Sequence, residues 1–314
     1  MILVTGATGF IGRALLRELA SQGMRVRILI HPGPHSPRLP RGVSLDIALS
    51  GLNDHRGLRA ALVGVDRVIH LSGSAATGRE DLLYQTDVLG TRTLAQAASE
   101  AGVERFLYLS HLGAGTSSAY PVLRASALAE RHIERSGLAA TIIRSAVVYG
   151  AGDHFTTSLA MLLAASPLIF PLPGDGANLL QPLWVGDLVT CLLWALDDPA
   201  TTKRRYEIGG PEFISLRQIV EFVQEASGLR RMIVPVPPPW LRAISWLMSV
   251  GLRWSPTSPF MIDYLAANRT ATLDSLPREF GLQPARMQDH LEHLSERRWF
   301  LELLRRQISR GRRD

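Results

Sequence analysis

Side chains able to do chemistry are concentrated in residues 110–126, where a strand-like run is followed by a helix-like run. Ser110 and His111 end the strand-like run, and Tyr120 lies just before the helical stretch 123–136. A Ser hydroxyl can orient a carbonyl oxygen, and a His imidazole or a Tyr phenol can exchange a proton with a substrate. We therefore predict Ser110, His111 and Tyr120 as candidate catalytic residues.

Lysine is almost absent from the sequence. Of the 34 Lys and Arg residues, one is a lysine, Lys203 in the second half of the chain. Arg124 follows Tyr120 by four residues and could supply positive charge, but it stays protonated and presents its charge differently from Lys. Pro121 favours the first position of a helix, which makes Tyr120 a cap or pre-helical residue. The hydroxyl of Tyr120 would then not share a helix turn with Arg124.

A glycine-rich stretch follows the first apolar run. The segment VTGATGFIGRALLRELASQG combines a strand, the spacing Gly6-x-x-Gly9-x-x-Gly12 and an amphipathic helix. Gly6 allows a tight turn, Gly9 allows the backbone to approach a pyrophosphate, and Gly12 allows the helix to pack closely on a sheet. The diphosphate would bind to unpaired N–H groups at the helix N-terminus. The predicted cofactor contacts here are Gly6, Thr8, Gly9, Phe10, Ile11 and Gly12.

The elements around these residues alternate between strand and helix patterns. Short β-branched runs separated by stretches of helical period indicate βαβ units and a buried parallel sheet. The handedness of such crossovers favours an α/β, doubly wound sheet with ligands at the carboxyl ends of its strands. Strands are predicted at 2–5, 26–30, 67–71, 106–110 and 141–148, and helices at 11–21, 58–62, 83–101 and 123–136.

Prolines divide the second half into shorter pieces. Helices are predicted at 154–165, 186–197, 215–227 and 240–252, with a strand at 205–209. We predict three regions: a dinucleotide-binding core (1–153), a smaller C-terminal substrate-side lobe interleaved with the core (154–296) and a basic helical tail (297–314).

Composition excludes several classes of protein. The chain has 314 residues, 46% of them hydrophobic and 20% charged, which is typical of a globular protein. Cys191 is the single cysteine, so no internal disulfide is expected. The net charge is +6, and residues 297–314 hold seven Arg against two acidic residues. The rest of the chain is nearly neutral, so no nucleic-acid partner is predicted.

Localisation and metal binding are predicted from patterns that the sequence lacks. With no signal-peptide pattern and no apolar run of spanning length, we predict a cytoplasmic protein. No metal-ligand spacing occurs, so no metal site is predicted.

Several stretches carry a family resemblance. They are the TGxxGxxG spacing, VDRVIHLSG, DVLGTRTLAQAASEAGVERFLYLS, SGLAATIIRSAVVYGAGD, LPGDGANLLQPLWVGDL and YEIGGPEFISLRQIVEFV. In them the chain resembles the extended and atypical short-chain dehydrogenases/reductases of the NAD-dependent epimerase/dehydratase family. It is most similar to the branch containing the accessory dehydrogenase-like subunit of respiratory complex I. The resemblance implies a Rossmann-type fold and, for that branch, nucleotide binding with weak or no demonstrated catalysis.

The resemblance also assigns residue roles. In this superfamily a Tyr hydroxyl exchanges a proton with the substrate, and a Lys four residues later lowers the Tyr pKa and holds the ribose. Registered on ASALAERHIERSGL, the Tyr position holds Val122 and the Lys position holds Ser126. Neither side chain can perform that step, so the resemblance implies that the standard relay is missing. Arg144 and Tyr149 resemble substrate-side positions that close the cofactor–substrate junction in relatives; the alternative for Arg144 is an ion pair at a strand end.

The loop after the second strand bears on the choice of nucleotide. It contains His31, Arg38 and Arg41 but no carboxylate before Asp46. An acidic residue there would bind the ribose of NAD, whereas a basic loop suits the 2′-phosphate of NADP. NADP is therefore the predicted cofactor, with NAD as the alternative.

Two further turns resemble cofactor-binding segments of the family. Gly51 occupies the position of an Asp that usually meets the adenine amine, which weakens adenine recognition. The turn HLSGSA places Leu71, Ser72 and Gly73 under the nicotinamide side of the cofactor, where small residues suit close approach. We predict that His70, just before this turn, is a core residue, and that Asp187 is a helix-start residue.

These observations support three hypotheses. The first is an NAD(P)-binding atypical dehydrogenase-like protein that lacks the usual relay and acts as a nucleotide-binding or assembly component. The second is an NADP-dependent oxidoreductase or epimerase with an unknown small-molecule substrate, using Tyr120, Ser110 or His111. The third adds a peripheral membrane or protein partner, contacted through the apolar, aromatic helix 240–252 and the basic tail.

Overall fold

The computed structural model describes residues 1–33, 39, 45–74, 79–251, 255–265, 267–295 and 298–310. Arg38 and Arg41 of the predicted nucleotide loop lie outside the described residues. So do residue 252 of the predicted apolar helix and residues 297 and 311–314 of the predicted tail.

The order of elements along the chain alternates strand and helix through the first half. The strands are β1 (Ile2–Thr5), β2 (Val26–Ile30), β3 (Leu45–Leu49), β4 (Arg67–His70), β5 (Arg105–His111), β6 (Ala140–Ser145), β7 (Val148–Tyr149), β8 (Ile169–Pro173), β9 (Leu179–Leu180), β10 (Leu183–Trp184), β11 (Arg205–Ile208), β12 (Ile214–Ser215) and β13 (Met232–Val236). The α-helices are α1 (Phe10–Ser21), α2 (His55–Ala61), α3 (Glu80–Leu82), α4 (Thr91–Glu100), α5 (Pro121–Arg135), α6 (Phe155–Ala165), α7 (Val185–Asp197), α8 (Leu216–Ser227), α9 (Pro238–Gly251), α10 (Pro259–Leu265), α11 (Ser275–Phe280) and α12 (Trp299–Arg310). A π-helical segment, Leu83–Gly90, joins α3 to α4, and short 3-10 helices cover Pro199–Thr201, Met287–His290 and Glu292–Leu294.

The first of two compact units contains the large sheet. It comprises Met1–Ala75, Arg79–Ser145 and Val185–Ile208. Its described strands form a seven-stranded sheet in the order β11-β6-β5-β4-β1-β2-β3, with every neighbouring pair parallel. The chain runs outward from β1 to β3 and then continues from β4 on the other side of β1. The strand order therefore reverses between β1 and β4, and ligands of such sheets bind outside the carboxyl ends of the strands at that point.

Burial explains why these runs form central strands. Every residue of β1 is buried, and β5 and β6 are buried along most of their length, as expected for parallel strands covered on both faces. Between sheet and helices lies a core that includes Leu3, Leu58, Leu94, Phe106 and Ile133.

The edge strand β3 was not predicted from the sequence. It pairs only with β2 among the described strands and leaves Ile47 and Leu49 exposed, at 54% and 69%. A strand with one partner and little buried surface gives a weak periodic signal, because its side chains are not sorted between core and solvent.

The second unit comprises Ala76–Gly78, Ala146–Trp184 and Gly209–Asp314. Its described strands form three two-stranded pairs, β7 with β10, β8 with β13, and β9 with β12. Its core includes Tyr149, Phe155, Phe170, Leu216 and Trp299. The indole N–H of Trp299, at the start of α12, donates a hydrogen bond of 3.0 Å to the carbonyl oxygen of Leu294. This contact anchors α12 at its first residue.

The predicted fold class is confirmed: the protein is an α/β protein with a Rossmann-type parallel sheet. The predicted helices of the second half correspond to α6, α7, α8 and α9, and the predicted strand at 205–209 is β11. Residues 185–208, which the sequence placed with the second half, belong to the first unit because β11 pairs with β6. Among the described residues, no helix combines the length and the apolar character that crossing a bilayer requires.

Candidate functional site

The glycine loop after β1 packs directly against the turn after β4. Gly6 has a φ of +69°, and a Cβ atom built on it would lie 2.7 Å from the carbonyl carbon of Leu71 and 2.8 Å from the nitrogen of Ser72. A Cβ on Gly12 would lie 2.3 Å from the carbonyl oxygen of Gly6. Both positions therefore require glycine, for reasons of steric space and, at Gly6, of backbone conformation.

The start of α1 is open to an anionic ligand. Gly9 is its N-cap and is exposed, no side chain caps this end, and the first turn contains no acidic residue. Thr8, Phe10 and Ile11 are half-buried around the same turn. Arg13 donates a hydrogen bond of 2.6 Å to the carbonyl oxygen of Thr8, which fixes the loop backbone from one side. A helix N-terminus of this kind carries a positive partial charge that suits a phosphate.

The side chain of His70 connects the end of β1 to the start of α4. Its Nδ1 lies 2.6 Å from the hydroxyl oxygen of Thr5, at the end of β1, and its Nε2 lies 2.8 Å from that of Thr91, at the start of α4. The ring stacks on Tyr108 with centroids 5.3 Å apart. Burial lowers the pKa of His70 to about 3, so the ring is neutral. The prediction that His70 is a core residue is confirmed.

The turn after β4 is held by a carboxylate that the sequence analysis did not single out. Asp87 lies in the π-helical segment, and its Oδ1 accepts hydrogen bonds from the backbone nitrogen of Ser74 (2.9 Å) and from its hydroxyl (2.8 Å). Burial raises the pKa of Asp87 to about 6. The Oδ2 atom lies 3.7 Å from an ideal Cβ on Gly73. The predicted contacts Leu71 and Ser72 belong to this turn and are half-buried. Asp87 positions the turn through its two hydrogen bonds from Ser74.

The end of β2 brings His31 next to Gly51. His31 is exposed, and its Nδ1 would lie 3.4 Å from a Cβ on Gly51. Asp54 is engaged as the N-cap of α2, accepting a hydrogen bond of 3.0 Å from the nitrogen of Gly57. Asp46 is paired with Arg27. Asp46 and Asp54, the first two carboxylates after β2 in the sequence, thus both make structural contacts.

Ser110 is turned toward a buried carboxylate. Its hydroxyl donates a hydrogen bond of 2.5 Å to Oε1 of Glu130, a residue that is 1% exposed. Arg144 binds the same carboxylate through two hydrogen bonds of 2.9 and 2.7 Å, and reaches Glu207 at 3.0 Å. Hydrogen bonding to Glu130 raises the pKa of Arg144. Both predicted site residues are therefore held in an ion-pair cluster, with Arg205 at 3.4 Å from Glu130.

This cluster gives partners to two of the residues predicted for the site, Ser110 and Arg144. A catalytic Ser110 needs its hydroxyl for a substrate oxygen, and a substrate-side Arg144 needs open donors. In the structure the hydroxyl of Ser110 donates its hydrogen bond to Glu130, and the Arg144 guanidinium pairs with the carboxylates of Glu130 and Glu207. Glu130 was missed in the sequence, where it is an ordinary glutamate in ALAE. Its spacing from Val122 and Ser126, four residues apart each time, is the signal that places it on their face of α5.

His111 is joined to Ser126 on α5, the residue that the predicted register aligns with the lysine of the family. Nδ1 of His111 lies 3.0 Å from the hydroxyl oxygen of Ser126, and that hydroxyl donates to the carbonyl oxygen of Val122 at 2.9 Å. Because the single hydroxyl proton of Ser126 is used, Nδ1 of His111 is the donor in their contact. Val122 and Ser126 are both buried, at 8% and 4% exposure.

Tyr120 occupies the N-cap position of α5, as Pro121 predicted. It is half-buried, and its backbone nitrogen donates to the hydroxyl oxygen of Ser118 at 3.2 Å. Arg124 turns back to the carbonyl oxygen of Ser118 at 3.1 Å and pairs with Glu80 at 3.1 Å. The guanidinium of Arg124 is therefore engaged with the loop before α5 and with α3.

Tyr149, predicted on the substrate side, lies in the core of the second unit. It is fully buried, and its hydroxyl donates a hydrogen bond of 3.2 Å to the carbonyl oxygen of Arg286. The contact of its hydroxyl is structural. Asp187 lies in the first turn of α7, as predicted for a helix-start residue. Among the described residues, no group of three or more His, Cys, Asp or Glu side chains is arranged to hold a metal ion.

A parallel sheet whose first strand ends in this glycine loop, beside the point where strand order reverses, defines a Rossmann-type α/β protein. The chain belongs to the NAD dependent epimerase/dehydratase family, whose model matches residues 2–209. The expected family is therefore confirmed.

Several known proteins are similar to this chain in sequence. The alpha subcomplex subunit 9 of mitochondrial NADH dehydrogenase [ubiquinone] 1 from Arabidopsis thaliana is 29% identical over 248 residues, which are 77% of this chain and 61% of that protein. Sterol demethylase protein B of Methylococcus capsulatus is 31% identical over 313 residues, covering 90% of this chain and 93% of that protein. The chain thus spans about three fifths of the plant relative and nearly all of the bacterial one.

Among solved structures, the UDP-glucose 4-epimerase of Thermus thermophilus in complex with NAD is similar in fold. The TM-score is 0.70 and the identity 21%, and the match covers 93% of this chain and 97% of that one. At this identity the likeness concerns the fold.

Proposed function

We propose that this protein binds a nicotinamide dinucleotide through the glycine loop 6–12 and lacks the standard Tyr–Lys proton relay of its family. It acts as a nucleotide-binding or assembly component. The observation that carries this proposal is the buried face of α5, where Val122 and Ser126 stand in the relay register and the Ser126 hydroxyl bonds to the Val122 carbonyl.

The loop geometry supports nucleotide binding. Gly9 is exposed at an uncapped helix start, and Gly6 and Gly12 are packed so tightly that the loop has a fixed shape. The backbone N–H groups at the start of α1 would hold the diphosphate, while the turn at Leu71, Ser72 and Gly73 would lie under the nicotinamide. A dinucleotide held there would supply hydride chemistry, and the loop and turn residues would orient it. NAD is a component of the epimerase complex that is similar in fold.

The end of β2 supports NADP over NAD as the nucleotide. His31 is exposed there, and Asp46 and Asp54 are engaged with Arg27 and with the start of α2. An imidazole can approach a 2′-phosphate, whereas a carboxylate would repel it.

Binding can be measured directly by titrating the purified protein with NADPH and NADH in a calorimeter. We expect tighter binding of NADPH. Gly9→Asp should abolish binding of both nucleotides, because it puts a carboxylate at the diphosphate site. Ser21→Asp adds the same charge at the far end of α1 and should leave binding intact. Equal affinity in the Gly9→Asp variant would refute the glycine-loop site.

Nucleotide preference has its own test. His31→Asp should reverse the preference toward NADH by about tenfold or more, since a carboxylate accepts hydrogen bonds from a ribose and repels a phosphate. Gln22→Asp, which adds a charge at an exposed position after α1, is the matched control. An unchanged preference in His31→Asp would remove His31 from the nucleotide site.

An assembly role is supported by the resemblance to a subunit of NADH dehydrogenase [ubiquinone] 1. That protein is named as one subunit of a larger enzyme, and this chain aligns with 61% of it. Affinity purification of the tagged full chain from its native host, with and without the Gly9→Asp substitution, tests the role. Co-purification of a defined complex that depends on nucleotide binding is the expected result. A chain recovered alone under both conditions contradicts it.

A second candidate function is catalysis with His111 as proton donor. The 3.0 Å contact with Ser126 orients the imidazole, whereas the hydroxyl of Ser110 donates to Glu130. If His111 is the donor, NADPH oxidation with small aldehyde and ketone probes should be detectable and should fall at least a hundredfold in His111→Gln. His132→Gln, a change of the same type on α5, is the control. Absence of any NADPH oxidation supports the first proposal.

Contact with a membrane surface is favoured by α9. Its exposed side presents Trp240, Trp246, Leu247 and Val250, each more than half exposed. In α12, Phe300 and Ile308 are likewise more than half exposed. Helices with an exposed apolar side and nearby Arg residues bind at the surface of anionic bilayers.

Vesicle flotation tests this contact. The protein should float with phosphatidylcholine vesicles that contain phosphatidylglycerol, and the double change Trp246→Glu and Val250→Glu should abolish flotation. Met232→Glu, an exposed apolar position outside α9, is the control. No flotation of the unaltered protein would exclude this role for α9.

A further inference from the structure

A cavity lies beneath α9 in the second unit. Its volume is about 120 Å³, and its wall is formed by α6, β8, α8, α9 and α10. The lining is almost entirely apolar, with Leu159, Phe170, Leu172, Leu241, Met248 and Met261 among the lining residues. For scale, a cavity of about 150 Å³ lined by apolar side chains stays dry and binds benzene. The cavity beneath α9 is therefore of the size that accepts a small apolar group.

One polar group in the lining has no protein partner. Ser245 lies on the inner side of α9, is 1% exposed, and its hydroxyl oxygen has no hydrogen-bond partner among the described residues. The other serine of the lining, Ser166, donates its hydroxyl to the carbonyl oxygen of Leu162. A buried hydroxyl without a partner costs about 1 to 3 kcal/mol. An oxygen atom brought by a ligand would remove that penalty.

The helix that closes the cavity is apolar on both sides. Leu241, Ser245 and Met248 line the cavity, and Ile244, also in the lining, is 51% exposed. On the outside, Trp246 and Leu247 are exposed. Ile244 is therefore an apolar residue that belongs both to the cavity lining and to the exposed surface.

We propose that this cavity binds the apolar end of a small amphiphile, a chain or ring of about four to six carbon atoms that places one hydroxyl or carbonyl oxygen against Ser245. The cavity volume limits the number of carbon atoms in the ligand, and the apolar lining favours a hydrocarbon group. The unpartnered hydroxyl of Ser245 favours one ligand oxygen. The proposal does not depend on nucleotide binding.

Methionine methyl groups report on this site. Met248 and Met261 line the cavity, whereas Met24 and Met232 are exposed elsewhere, at 37% and 61%. In the full chain labelled at the methionine methyl carbons, 1-pentanol should shift the signals of Met248 and Met261 in a saturable way and leave those of Met24 and Met232 in place. Met248→Leu and Met261→Leu assign the two signals.

Two variants test the role assigned to Ser245. Ser245→Leu fills the cavity, so the saturable shifts of Met261 should disappear while the circular dichroism spectrum and Tm are retained. Ser249→Leu adds the same side chain on the exposed side of α9 and should leave binding unchanged. Ser245→Ala should weaken 1-pentanol binding by about fivefold and leave n-pentane binding unchanged, as expected for loss of one hydrogen bond.

Several results would overturn the proposal. Shifts that rise linearly with 1-pentanol and affect all methionines equally would indicate solvent perturbation only. Saturable shifts that persist in Ser245→Leu would place the ligand elsewhere. No shift with either probe would mean that the cavity holds at most buried water, and equal affinity for n-pentane and 1-pentanol in the unaltered protein would remove Ser245 from the site.

Discussion

Nδ1 of His111 lies 3.0 Å from the hydroxyl oxygen of Ser126, so the end of β5 is connected to the buried face of α5. The Ser126 hydroxyl also donates to the carbonyl of Val122. The contact therefore couples a strand end to a neutral, buried helix face. Ser126 thus turns back into its own helix.

Introducing the missing cation at this position should destabilise the protein. Ser126→Lys places an ammonium at a site that is 4% exposed, next to an imidazole that already donates a hydrogen bond. We expect a loss of about 3 kcal/mol in the free energy of unfolding, measured by urea titration. Ser99→Lys, at an exposed position of α4, should change it by less than about 0.5 kcal/mol. A stable Ser126→Lys protein would mean that the helix face opens to solvent.

Removing the charge of Glu130 should be strongly destabilising. Its carboxylate is 1% exposed and accepts hydrogen bonds from Ser110 and Arg144. Glu130→Gln leaves the half-buried Arg144 with only the exposed Glu207 as an ionic partner. Breaking a buried ion pair from one side costs about 3 to 5 kcal/mol. Urea titration should show a loss in this range, against less than about 1 kcal/mol for Glu134→Gln, whose carboxylate is half exposed and pairs with Arg205.

Asp87 should make stability decrease as pH rises. Burial raises its folded-state pKa to about 6, above the ordinary value of 3.8, so the folded protein binds the extra proton between those values. The ionisation of Asp87 therefore lowers the free energy of unfolding least below pH 4 and most above pH 6. The difference between these limits is about 3 kcal/mol at most. Asp87→Asn keeps an oxygen that can accept from Ser74 and removes this dependence.

The measurement for Asp87 is the difference in unfolding free energy between variant and unaltered protein, followed from pH 4 to pH 7.5. The difference should grow in favour of Asp87→Asn as pH rises. Taking the difference cancels contributions from other titrating groups. Asp46→Asn, a change of the same type at an exposed carboxylate, is the control. A flat difference would show that Asp87 is solvated in the folded protein.

His70 should stay neutral across the physiological range. Its folded pKa is about 3, below the ordinary 6.5, so only the unfolded chain takes up this proton as pH falls. The stability that His70 contributes is therefore complete above pH 6.5 and is lost between pH 6.5 and about 3. The imidazole ¹⁵N signals of His70 should not move between pH 5 and 8 in the folded protein. They should titrate near pH 6.5 in the urea-unfolded chain. Titration in the folded state would contradict the clamp with Thr5 and Thr91.

Local features of the site could be predicted from the sequence, and tertiary ones could not. The glycine loop, the helix that begins after Gly9 and the cap position of Tyr120 follow from local backbone rules, because Gly and Pro restrict the chain where they stand. The direction of the Ser110 hydroxyl depends on Glu130, twenty residues later on a different element. The pattern of apolar residues in β5 or in α5 does not predict a contact between the two elements.

Contacts between elements that are distant in sequence were equally hard to predict. Asp87 lies in a segment quoted for the family resemblance, yet its role depends on Ser74, to which the π-helical backbone brings it. Arg144 was assigned to the substrate side by resemblance, and its partners Glu130 and Glu207 lie on α5 and β11. Side-chain direction in a buried site is set by neighbours that are distant in sequence.

The packing of Gly6 against Leu71 and Ser72 has a consequence for redesign of this protein. The loop and the turn behave as one interlocked backbone unit, in which a single added carbon atom at Gly6 or Gly12 collides with main chain. That end of the site offers no room for tuning by substitution. At the ends of β2 and β3, by contrast, His31 is exposed beside Gly51, so this part of the proposed nucleotide site has room for substitution.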